Sequence, residues 1–398
     1  MNNQVDVAIL GGGSTGSSIL YQLAKRGITR AALLEKGSQI AAGQTSRSTA
    51  LLRSHYSIPT VAKMAWDSYQ FFKNDFETEI HTSSGFQKTG LFVCGDTVTE
   101  KALGANSQML REIGIPSEKI DSDQAKKIEP YLNEAIYTLI VFEPESGYAE
   151  PSVTASAFAN RAMELGSKVR TNTMVQSLKK SSSGKGYEIS TNNGSVEAKK
   201  VIVATGPWSK ALFASLGISV PIKPVRHPVC IFQRPEEYSG SRPLIFDFPR
   251  EAYYKPEGKR FFYAGSLAAE LDHVEIDPDN YNESVSFDEI TRFSEEASAA
   301  VPIMGTAGMY VRGYTGVYDV TPDQQPIIDE FSDFGYEGLY CLIGLSGHGF
   351  KLSPAFGWIM SDFITGENRI GYDRSIFRLS RFKEGKLLTS RYNLSTVG

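Results

Sequence analysis

The chain has 398 residues, of which 41% are hydrophobic and 22% charged, and its net charge at pH 7 is −4. This composition is ordinary for a soluble globular protein large enough for two domains or one composite domain. The small net charge and the lack of a run of like charges argue against nucleic acid or an anionic membrane surface as the main partner. The basic stretch RFKEGK at 381–386 is interpreted as part of a solvated tail.

Three isolated cysteines, Cys94, Cys230 and Cys341, are odd in number and lack the spacing of metal ligands. A disulfide framework and a metal site are therefore not expected. No apolar stretch approaches the ~20 residues that a membrane-spanning helix requires. A strand predicted to begin at Val5 leaves no room for a signal peptide. We therefore predict a soluble cytoplasmic protein.

The first predicted elements are a strand, a glycine-rich turn, a helix and a second strand. The apolar run at 5–10 is typical of a parallel strand that is buried on both faces. Gly11, Gly13 and Gly16 follow with the spacing G-x-G-x-x-G, and the stretch RAALLE supplies a second strand that ends at Glu35. This order of elements predicts a dinucleotide-binding unit.

Each part of this unit has a physical role. Gly11 permits a tight turn, Gly13 lets the backbone approach a pyrophosphate, and Gly16 lets the helix pack closely on the strand. The helix amino terminus presents free N–H groups and a partial positive charge to the phosphates. Glu35 can accept hydrogen bonds from both hydroxyls of the adenosine ribose and would repel a 2′-phosphate.

Two later segments choose between NAD and FAD. The segment AKKVIVATGPWSKAL at 198–212 predicts a strand that runs into Thr205 and Gly206, followed by a helix. Two short strands precede it, with Val175 in the second. The segment GLYCLIGL at 338–345 predicts a further strand, with a glycine-rich turn and a helix over 353–364 after it. Three such units far apart in sequence indicate one sheet interrupted by insertions, an arrangement that suits the length of FAD.

These segments resemble the D-amino-acid-oxidase-like superfamily of FAD-dependent oxidoreductases. Within it, the chain is similar to the sarcosine oxidase group, including the beta subunits of heterotetrameric sarcosine oxidases and archaeal amino-acid dehydrogenase subunits. The matching stretches are residues 5–35, GQTSRSTALLRSHY at 43–56, VIVATGPWS at 201–209, GVYDVTPDQQPIID at 316–329 and GLSGHGFKLSP at 344–354.

The resemblance implies an α/β fold: a Rossmann-like FAD-binding domain with an interrupted sheet, and an inserted α+β substrate domain built on an antiparallel sheet. The FAD-binding domain would comprise residues 1–85, 148–220 and 318–372, the substrate domain 86–147 and 221–317, and a C-terminal extension 373–398. From the sequence itself, QKTGLFVCG at 87–95 alternates like a half-buried strand, and EAYYKPEGKRFFYAGS at 251–266 predicts a hairpin. We expect this second sheet to cover the flavin.

The segment GLSGHGFK at 344–351 suits the flavin end of the cofactor. Its three glycines lack Cβ atoms, so the backbone can approach a ring. The helix that follows directs N–H groups toward the pyrimidine end, where negative charge develops as a hydride equivalent reaches flavin N5. His348 contacts the flavin in one interpretation and only fills space in the other.

The resemblance places Lys351 beside Arg53, and implies that these two cations bind the substrate carboxylate. Arginine adds planar, bidentate geometry that a lysine alone cannot supply. Tyr318 and Tyr254 match active-site tyrosines of similar oxidases and would form aromatic walls, although tyrosines in strands are more often core residues. The predicted catalytic residues are Arg53, Lys351, Tyr318, Tyr254 and His348.

The predicted cofactor-binding residues come from all three strand–turn–helix units and from the loop at 43–48. Arg47 in that loop is expected to contact either the FAD phosphates or the flavin edge. The full set is Gly11, Gly13, Ser14, Thr15, Gly16, Glu35, Lys36, Thr45, Ser46, Arg47, Ser48, Val175, Thr205, Gly206, Trp208, Gly344, Ser346, Gly347, His348, Gly349 and Lys351.

The chain departs from the resemblance at two positions. Gly316 stands where monomeric sarcosine oxidases carry the cysteine that joins the flavin covalently, so noncovalent FAD is expected. Phe262 aligns with the lysine that activates oxygen in those enzymes, and Lys259 is only nearby. An apolar side chain cannot stabilise developing superoxide by charge, so electrons are expected to pass to another acceptor or to a partner subunit.

The predicted function is oxidation of a small secondary, tertiary or primary α-amino acid of the sarcosine, dimethylglycine, proline or glycine type. Hydride transfer to flavin N5 would give an imine, and no base is required if the amine binds deprotonated. One alternative is an FAD-dependent dehydrogenase of a 2-hydroxy acid or of glycerol 3-phosphate, with His348 as the base. The other is a noncatalytic FAD-binding relay or assembly subunit.

Overall fold

The structure, a computed structural model, describes residues 4–182, 185–268 and 274–389. Within these ranges the chain forms nineteen strands and ten α-helices. The strands are β1 (Gln4–Leu10), β2 (Ala31–Leu34), β3 (Leu51–Leu52), β4 (Gln87–Lys88), β5 (Leu91–Gly95), β6 (Glu118–Ile120), β7 (Leu139–Glu143), β8 (Gly147–Tyr148), β9 (Lys168–Arg170), β10 (Val175–Lys180), β11 (Tyr187–Thr191), β12 (Gly194–Val203), β13 (Lys223–Gln233), β14 (Leu244–Asp247), β15 (Ala252–Glu257), β16 (Phe261–Ser266), β17 (Met309–Val320), β18 (Ile327–Glu330) and β19 (Leu339–Ile343).

The helices that cover the sheets are mostly short. They are α1 (Ser14–Lys25), α2 (Pro59–Gln70), α3 (Phe76–Ile80), α4 (Glu100–Glu112), α5 (Ser122–Ile128), α6 (Pro151–Glu164), α7 (Ser209–Ser215), α8 (Phe287–Ala300), α9 (Ile303–Ala307) and α10 (Ser353–Thr365). No helix in the described part of the chain is long and apolar enough to cross a membrane.

The first sheet has a parallel centre in the order β9–β2–β1–β12–β19. The first half of β12 pairs with β11 in antiparallel fashion, while its second half pairs with β19 in parallel. The three predicted strand–turn–helix units therefore lie side by side, as the sequence predicts for an interrupted sheet. Because the strands are parallel, their glycine-rich turns meet at one edge of the sheet.

Both faces of the first sheet are buried. On one face Ile9 packs with Leu20 of α1 and Phe356 of α10. On the other face Val203 packs with Phe213 of α7 and with residues of β10 and β11. Burial on both faces explains why β1, β12 and β19 end in continuous apolar runs rather than alternating patterns.

The second sheet has the order β17–β13–β16–β15–β14–β5–β7–β6, so strands from residues 86–147 and from 221–317 share it. Neighbouring strands are antiparallel except β14 and β5, which are parallel. The predicted hairpin at 251–266 is confirmed as β15 and β16. The prediction of a half-buried strand at 87–95 is wrong, because all five residues of β5 are buried.

The two faces of the second sheet pack against different parts of the chain. The inner face, which includes Val93, Phe246 and Tyr253, packs on Leu51 and Tyr148. The outer face, which includes Phe92, Tyr254 and Phe262, packs on Phe293 of α8. Leu51 and Tyr148 belong to a small third sheet of β3, β8 and β4, which joins the first part of the chain to the inner face.

The interpretation of 381–386 as a solvated tail is wrong for its first residue. Arg381 is fully buried, and its Nε and Nη2 lie 2.7 and 2.9 Å from the carboxylate oxygens of Asp323. Its Nη2 also donates to the Gln325 carbonyl. This bidentate geometry offsets the cost of burying both charges. Residues 390–398 of the predicted extension lie outside the described residues.

The three cysteines are free thiols, and none has measurable accessible surface. Burial raises the pKa of all three thiols, and that of Cys230 to about 12. Each lies in a packed strand, Cys94 in β5, Cys230 in β13 and Cys341 in β19. They behave as small apolar side chains of the core.

Candidate active site

The turn after β1 has no space for side chains at its glycines. Gly11 has φ +109°, and a Cβ there would lie 2.4 Å from the Ala204 carbonyl oxygen at the end of β12. A Cβ on Gly16 would lie 2.0 Å from the Gly11 carbonyl oxygen. The chain therefore needs glycine at both positions for β1, β12 and α1 to approach one another.

The amino terminus of α1 has features that suit an anionic ligand. Gly13 supplies no side-chain cap, and the Ser14 N–H donates to Thr45 Oγ1 over 3.1 Å. The Thr15 hydroxyl is buried and has no hydrogen-bond partner among the described residues. A hydroxyl and uncapped N–H groups at a helix amino terminus suit phosphate oxygens.

Glu35 follows β2 and lies against this turn. Its carboxylate accepts hydrogen bonds from the N–H groups of Gly12 and Gly37, each 2.6 Å long. The Glu35 carbonyl accepts from Thr173, two residues before Val175, so the strand that starts at Val175 begins beside Glu35. The structure thus brings two residues predicted for the adenosine end together.

Lys36 and Trp208 also meet, although they are far apart in sequence. The Lys36 ammonium lies 3.7 Å from the centre of the Trp208 ring, and both residues bond to the Asp279 carboxylate over 2.8 Å. Thr205 and Gly206 lie at the end of β12, where the Ala204 N–H donates to the carbonyl of Leu10. The sequence interpretation did not include Asp279.

The loop at 43–48 contains a short 3₁₀ turn that bonds to α1 through Thr45 and to β17 through Arg47. Within the described residues the hydroxyls of Ser46 and Ser48 form local hydrogen bonds. The Ser46 hydroxyl donates to the Gly43 carbonyl, and the Ser48 hydroxyl accepts from the Ala50 N–H. Arg47 reaches across to the Thr315 carbonyl and the Glu283 carboxylate, each over 2.9 Å.

The carboxy-terminal turn, after β19, is built like the first one. Gly344 and Gly347 have positive φ, and a Cβ on Gly347 would lie 2.7 Å from the Tyr318 ring. Ser346 also has positive φ, at 46°, and its N–H donates to the Asp319 carbonyl. The Asp319 carboxylate accepts from Gly344 N over 2.7 Å, so this buried acid holds the turn. Burial raises the pKa of Asp319 to about 6, while hydrogen bonds from the turn counteract the shift.

Gly349 completes this turn, where a Cβ would lie 2.7 Å from the Leu345 side chain. His348 is 2% exposed, and its ring contacts the Tyr56 ring edge-on at 5.0 Å between centroids. Tyr318 stacks on the His227 ring at 3.8 Å. The structure therefore brings His348 and Tyr318 to the same turn.

Arg53 and Lys351 are both buried at this turn, with 4% and 8% of their surfaces exposed. The Arg53 guanidinium lies 4.2 Å from the centre of the Tyr56 ring and 5.1 Å from that of Phe246, and it donates to the His55 carbonyl. Lys351 donates to the Gly347 carbonyl over 3.3 Å.

Burial shifts the pKa of both cations in the same direction. Burial lowers the pKa of Arg53, and Tyr56 and Glu143 counteract this shift. Burial also lowers the pKa of Lys351 well below its ordinary value, and the Arg53 charge lowers it further. Two like charges held together away from water favour the binding of an anion between them.

The structure does not place Tyr254 with these residues. Tyr254 lies on the outer face of the second sheet and stacks on Phe262 at 5.5 Å, among residues that pack on α8. Successive side chains of a strand point to opposite faces, so Tyr253 takes the inner-face position instead. Its hydroxyl lies 3.4 Å from Thr49 Oγ1. Phe262 is likewise on the outer face and does not stand over the site.

The family described as FAD dependent oxidoreductase (DAO) matches residues 6–363. The chain belongs to this DAO family. The predicted family, its oxidoreductase class and its cofactor, FAD, are thereby confirmed.

Relatives in the DAO family match over nearly the whole chain. Monomeric sarcosine oxidase from Bacillus sp. (strain B-0618) is 27% identical over 390 residues, covering 96% of this chain and 97% of that protein. N-methyl-L-tryptophan oxidase from Escherichia coli O1:K1 / APEC is 27% identical over 394 residues, covering 95% and 99%. The crystal structure of L-proline dehydrogenase from P. horikoshii superposes with a TM-score of 0.87 at 25% identity, covering 97% of this chain and all of that one.

The residues present fit the cofactor of the DAO family. Gly11 and Gly16 let β1, β12 and α1 approach closely at the first turn, and the buried Thr15 hydroxyl there lacks a partner among the described residues. Glycines recur at the turn after β19, where Gly344 and Gly347 need positive φ. Both turns lie at the same edge of the first sheet, as a long dinucleotide requires.

Sequence reasoning missed a buried polar group behind Arg53. His55 Nδ1 lies 2.7 Å from the Glu143 carboxylate, and Asn106 Nδ2 lies 3.0 Å from His55 Nε2. The His55 and Asn106 side chains are fully buried, and only 2% of the Glu143 side chain is exposed. The Arg53 guanidinium donates to the carbonyl of the same histidine. An acid at the end of the apolar run LIVFE was the available signal for Glu143.

Proposed function

We propose that the protein oxidises a small α-amino acid or N-methyl amino acid whose carboxylate binds to Arg53 and Lys351. The observation that carries this proposal is the pair of buried cations, each of which has its pKa lowered by burial. A carboxylate between them would relieve the repulsion and raise the pKa of Lys351 again.

The energetics favour an anionic ligand at this place. An ion pair at 4 Å is worth about 4 kcal/mol at an effective dielectric constant of 20, before desolvation costs. Much of the desolvation of the two cations is already present in the folded protein, because Arg53 and Lys351 are 4% and 8% exposed. Arg53 is also fixed between the Tyr56 and Phe246 rings, so little side-chain entropy is lost on binding.

The surroundings of the cations suit an amine. Tyr318, Phe246 and Tyr56 supply aromatic surface, which excludes water and limits the orientation of the substrate. When bound, FAD accepts two electrons as a hydride equivalent. An amine that binds deprotonated needs no base, so His348 is proposed to orient the turn rather than to move a proton. The substrates named for the relatives, sarcosine, N-methyl-L-tryptophan and L-proline, are all secondary amino acids.

The attachment of FAD is proposed to be noncovalent, because Gly316 has no side chain to form a bond. Phe262 lies on the outer face of the second sheet, so its apolar side chain gives no reason to exclude oxygen as the electron acceptor. Lys255 lies on the inner face instead, buried and paired with Glu257 at 2.5 Å. The electron acceptor is oxygen, another molecule or a partner subunit. Reoxidation of the reduced flavin in air tests whether it is oxygen.

The division into domains is also a proposal. Residues 1–85, 148–220 and 318–372 would bind FAD, and 86–147 with 221–317 would cover the substrate. Sheet membership supports this, because the first sheet draws on the first set and the second sheet mainly on the second. β17 crosses the proposed boundary at 317/318 without a break. A cytoplasmic location is proposed from the three unpaired cysteines.

Anaerobic titration of the purified yellow protein tests the function. Sarcosine, dimethylglycine, proline and glycine are added in turn, and loss of the visible flavin band identifies a substrate. The variants Arg53→Lys and Lys351→Met should each raise the half-saturating concentration about 10- to 100-fold, as loss of a hydrogen bond between charged groups predicts.

Arg26→Lys is the matched control, because Arg26 is another largely buried arginine in ion pairs, at the far end of α1. It should titrate like the wild type. Wild-type titration in both cation variants would contradict the carboxylate site. A yellow protein that no amino acid bleaches would instead support the relay alternative.

A further inference from the structure

The segment at 274–286 runs along the edge of the second sheet. The Ile276 N–H donates to the Pro224 carbonyl over 2.9 Å, and Arg226 Nε donates to the Asn282 carbonyl over 3.0 Å. Farther along, Thr315 Oγ1 donates to the Glu283 carbonyl over 3.2 Å. The backbone of the segment is therefore anchored on β13 and β17.

Acidic side chains of this segment reach in the opposite direction. Glu275, Asp279 and Glu283 recur at intervals of four residues. Their partners are Lys210, Lys36 and Arg47 respectively, with distances of 2.8 Å for Asp279 and 2.9 Å for Glu283. Each of these three acids thus pairs with a cation from a different element around the first sheet. The fourth acid of the segment, Asp277, accepts a hydrogen bond from the Asp279 N–H within the segment.

The three cations lie beside the dinucleotide turns. Lys36 directly follows Glu35, which bonds the turn after β1. Lys210 is the second residue of α7, which follows the Thr205–Gly206 turn after β12. Arg47 ends the 3₁₀ turn whose Thr45 bonds the start of α1. Asp279 makes an additional bond to Trp208, whose ring carries the Lys36 ammonium on its face.

We propose that residues 274–286 form an acidic clasp that closes the FAD site and slows release of the cofactor. The clasp joins a segment anchored on the second sheet to three elements beside the dinucleotide turns, and in this proposal its contacts must break before FAD is released. This inference rests on the proposed roles of Lys36, Arg47 and Trp208 in cofactor binding. It adds Glu275, Asp279 and Glu283 to the site as positioning residues.

Electrostatic repulsion alone would predict that these acids accelerate FAD release, whereas a clasp would slow it. Three carboxylates near a pyrophosphate repel it, and they occupy cations that would otherwise be available to the phosphates. If repulsion dominated, removing the acids would slow FAD release. If the clasp dominates, removing them accelerates release.

The experiment measures FAD release from the holoprotein by the rise in fluorescence of free FAD after dilution at low salt. An exposed ion pair contributes about 0.2–1 kcal/mol, so each lost pair should accelerate release by up to about fivefold. Asp279→Asn keeps an acceptor for Trp208 and should give about a twofold increase, and Asp279→Ala about a fivefold increase. The triple variant Glu275→Gln/Asp279→Ala/Glu283→Gln should release FAD about 20-fold faster than the wild type.

Salt provides a second readout. At 1 M salt the screening length is about 3 Å, so the rates of the wild type and Asp279→Asn should converge. Glu384→Gln is the matched control, because Glu384 is an exposed acid whose observed ion pairs, with Arg378 and Lys386, lie in the C-terminal part. Its release rate should equal that of the wild type.

Unchanged or slower release from the triple variant would overturn the clasp. The release assay involves no amino acid, so its outcome is separate from that of the carboxylate site. Faster release together with wild-type titration of both Arg53→Lys and Lys351→Met would retain the clasp and reject the carboxylate site. Unchanged release from the triple variant, together with weakened amino-acid binding in the cation variants, would reject only the clasp.

Discussion

The two large sheets contribute to the candidate site through different atoms. The first sheet contributes backbone, at the ends of β1, β12 and β19, where Gly11, Gly16 and Gly347 let chain segments approach closely. The second sheet contributes side chains of its inner face, such as Phe246 beside the Arg53 guanidinium. One region therefore works by the absence of side chains and the other by their presence.

This difference decides how errors in register affect each region. In the first sheet the glycines themselves mark the site. A side chain on Gly11, for example, would collide with the backbone of Ala204 and Thr205. In the second sheet a displacement of one residue moves a side chain to the opposite face. Tyr253 and Tyr254 show this directly, since one faces Phe246 and the other packs beneath α8.

The largest effect is expected from a side chain in the first turn. Gly16→Val should abolish FAD binding, because its Cβ would lie 2.0 Å from a carbonyl oxygen. Gly13→Val meets only Thr45 Oγ1, at 3.0 Å, so it should fold yet bind FAD weakly. The FAD-to-protein ratio and thermal unfolding measure both effects. Gly104→Ala in α4, with no atom within 4 Å, should bind FAD normally and gain up to about 1 kcal/mol. Full FAD content in Gly16→Val would refute the backbone argument.

Substitutions at the adjacent Tyr253 and Tyr254 distinguish the roles of the two faces of the second sheet. Tyr254→Ala should lower the free energy of unfolding by about 3–5 kcal/mol, because it leaves a cavity in the outer core. Tyr253→Phe should change stability by less than about 1 kcal/mol, because its hydroxyl makes one long hydrogen bond. It should alter KM for the amino acid, whereas Tyr254→Phe should not. Denaturant unfolding and steady-state kinetics give these values; the opposite pattern in KM would return Tyr254 to the site.

A smaller effect is expected at Asp319, whose side chain connects β17 to the turn after β19. Its pKa is raised to about 6, chiefly by burial, so the folded state holds the proton more tightly than the unfolded state. Stability from this group is present below about pH 4 and is lost as pH rises through 6, a change of about 3 kcal/mol. Asp319→Asn cannot ionise and should lack this dependence. Its advantage in unfolding free energy over the wild type should grow between pH 4 and 6, and parallel profiles would contradict the shift.

Short-range features of the fold follow directly from the sequence. The strand–turn–helix units at β1, β12 and β19 could be predicted because glycine spacing and apolar runs are local. The pairing of Arg53 with Lys351 depended on family resemblance rather than on pattern. Contacts such as Lys36 with Asp279, 243 residues apart, and Arg381 with Asp323, 58 apart, have no local signal. The resemblance predicts Tyr254 in the site, whereas the structure places its neighbour Tyr253 on the inner face, because consecutive side chains of a strand point to opposite faces.

The buried cysteines have a practical consequence for attaching a label to this protein at a chosen position. All three thiols of the chain lie in strands with no accessible surface, and burial holds each in its unreactive protonated form. A maleimide dye should therefore not react with these thiols in the native state. A cysteine introduced at an exposed position such as Val98, which is 84% exposed, would accept the label selectively without prior removal of native thiols.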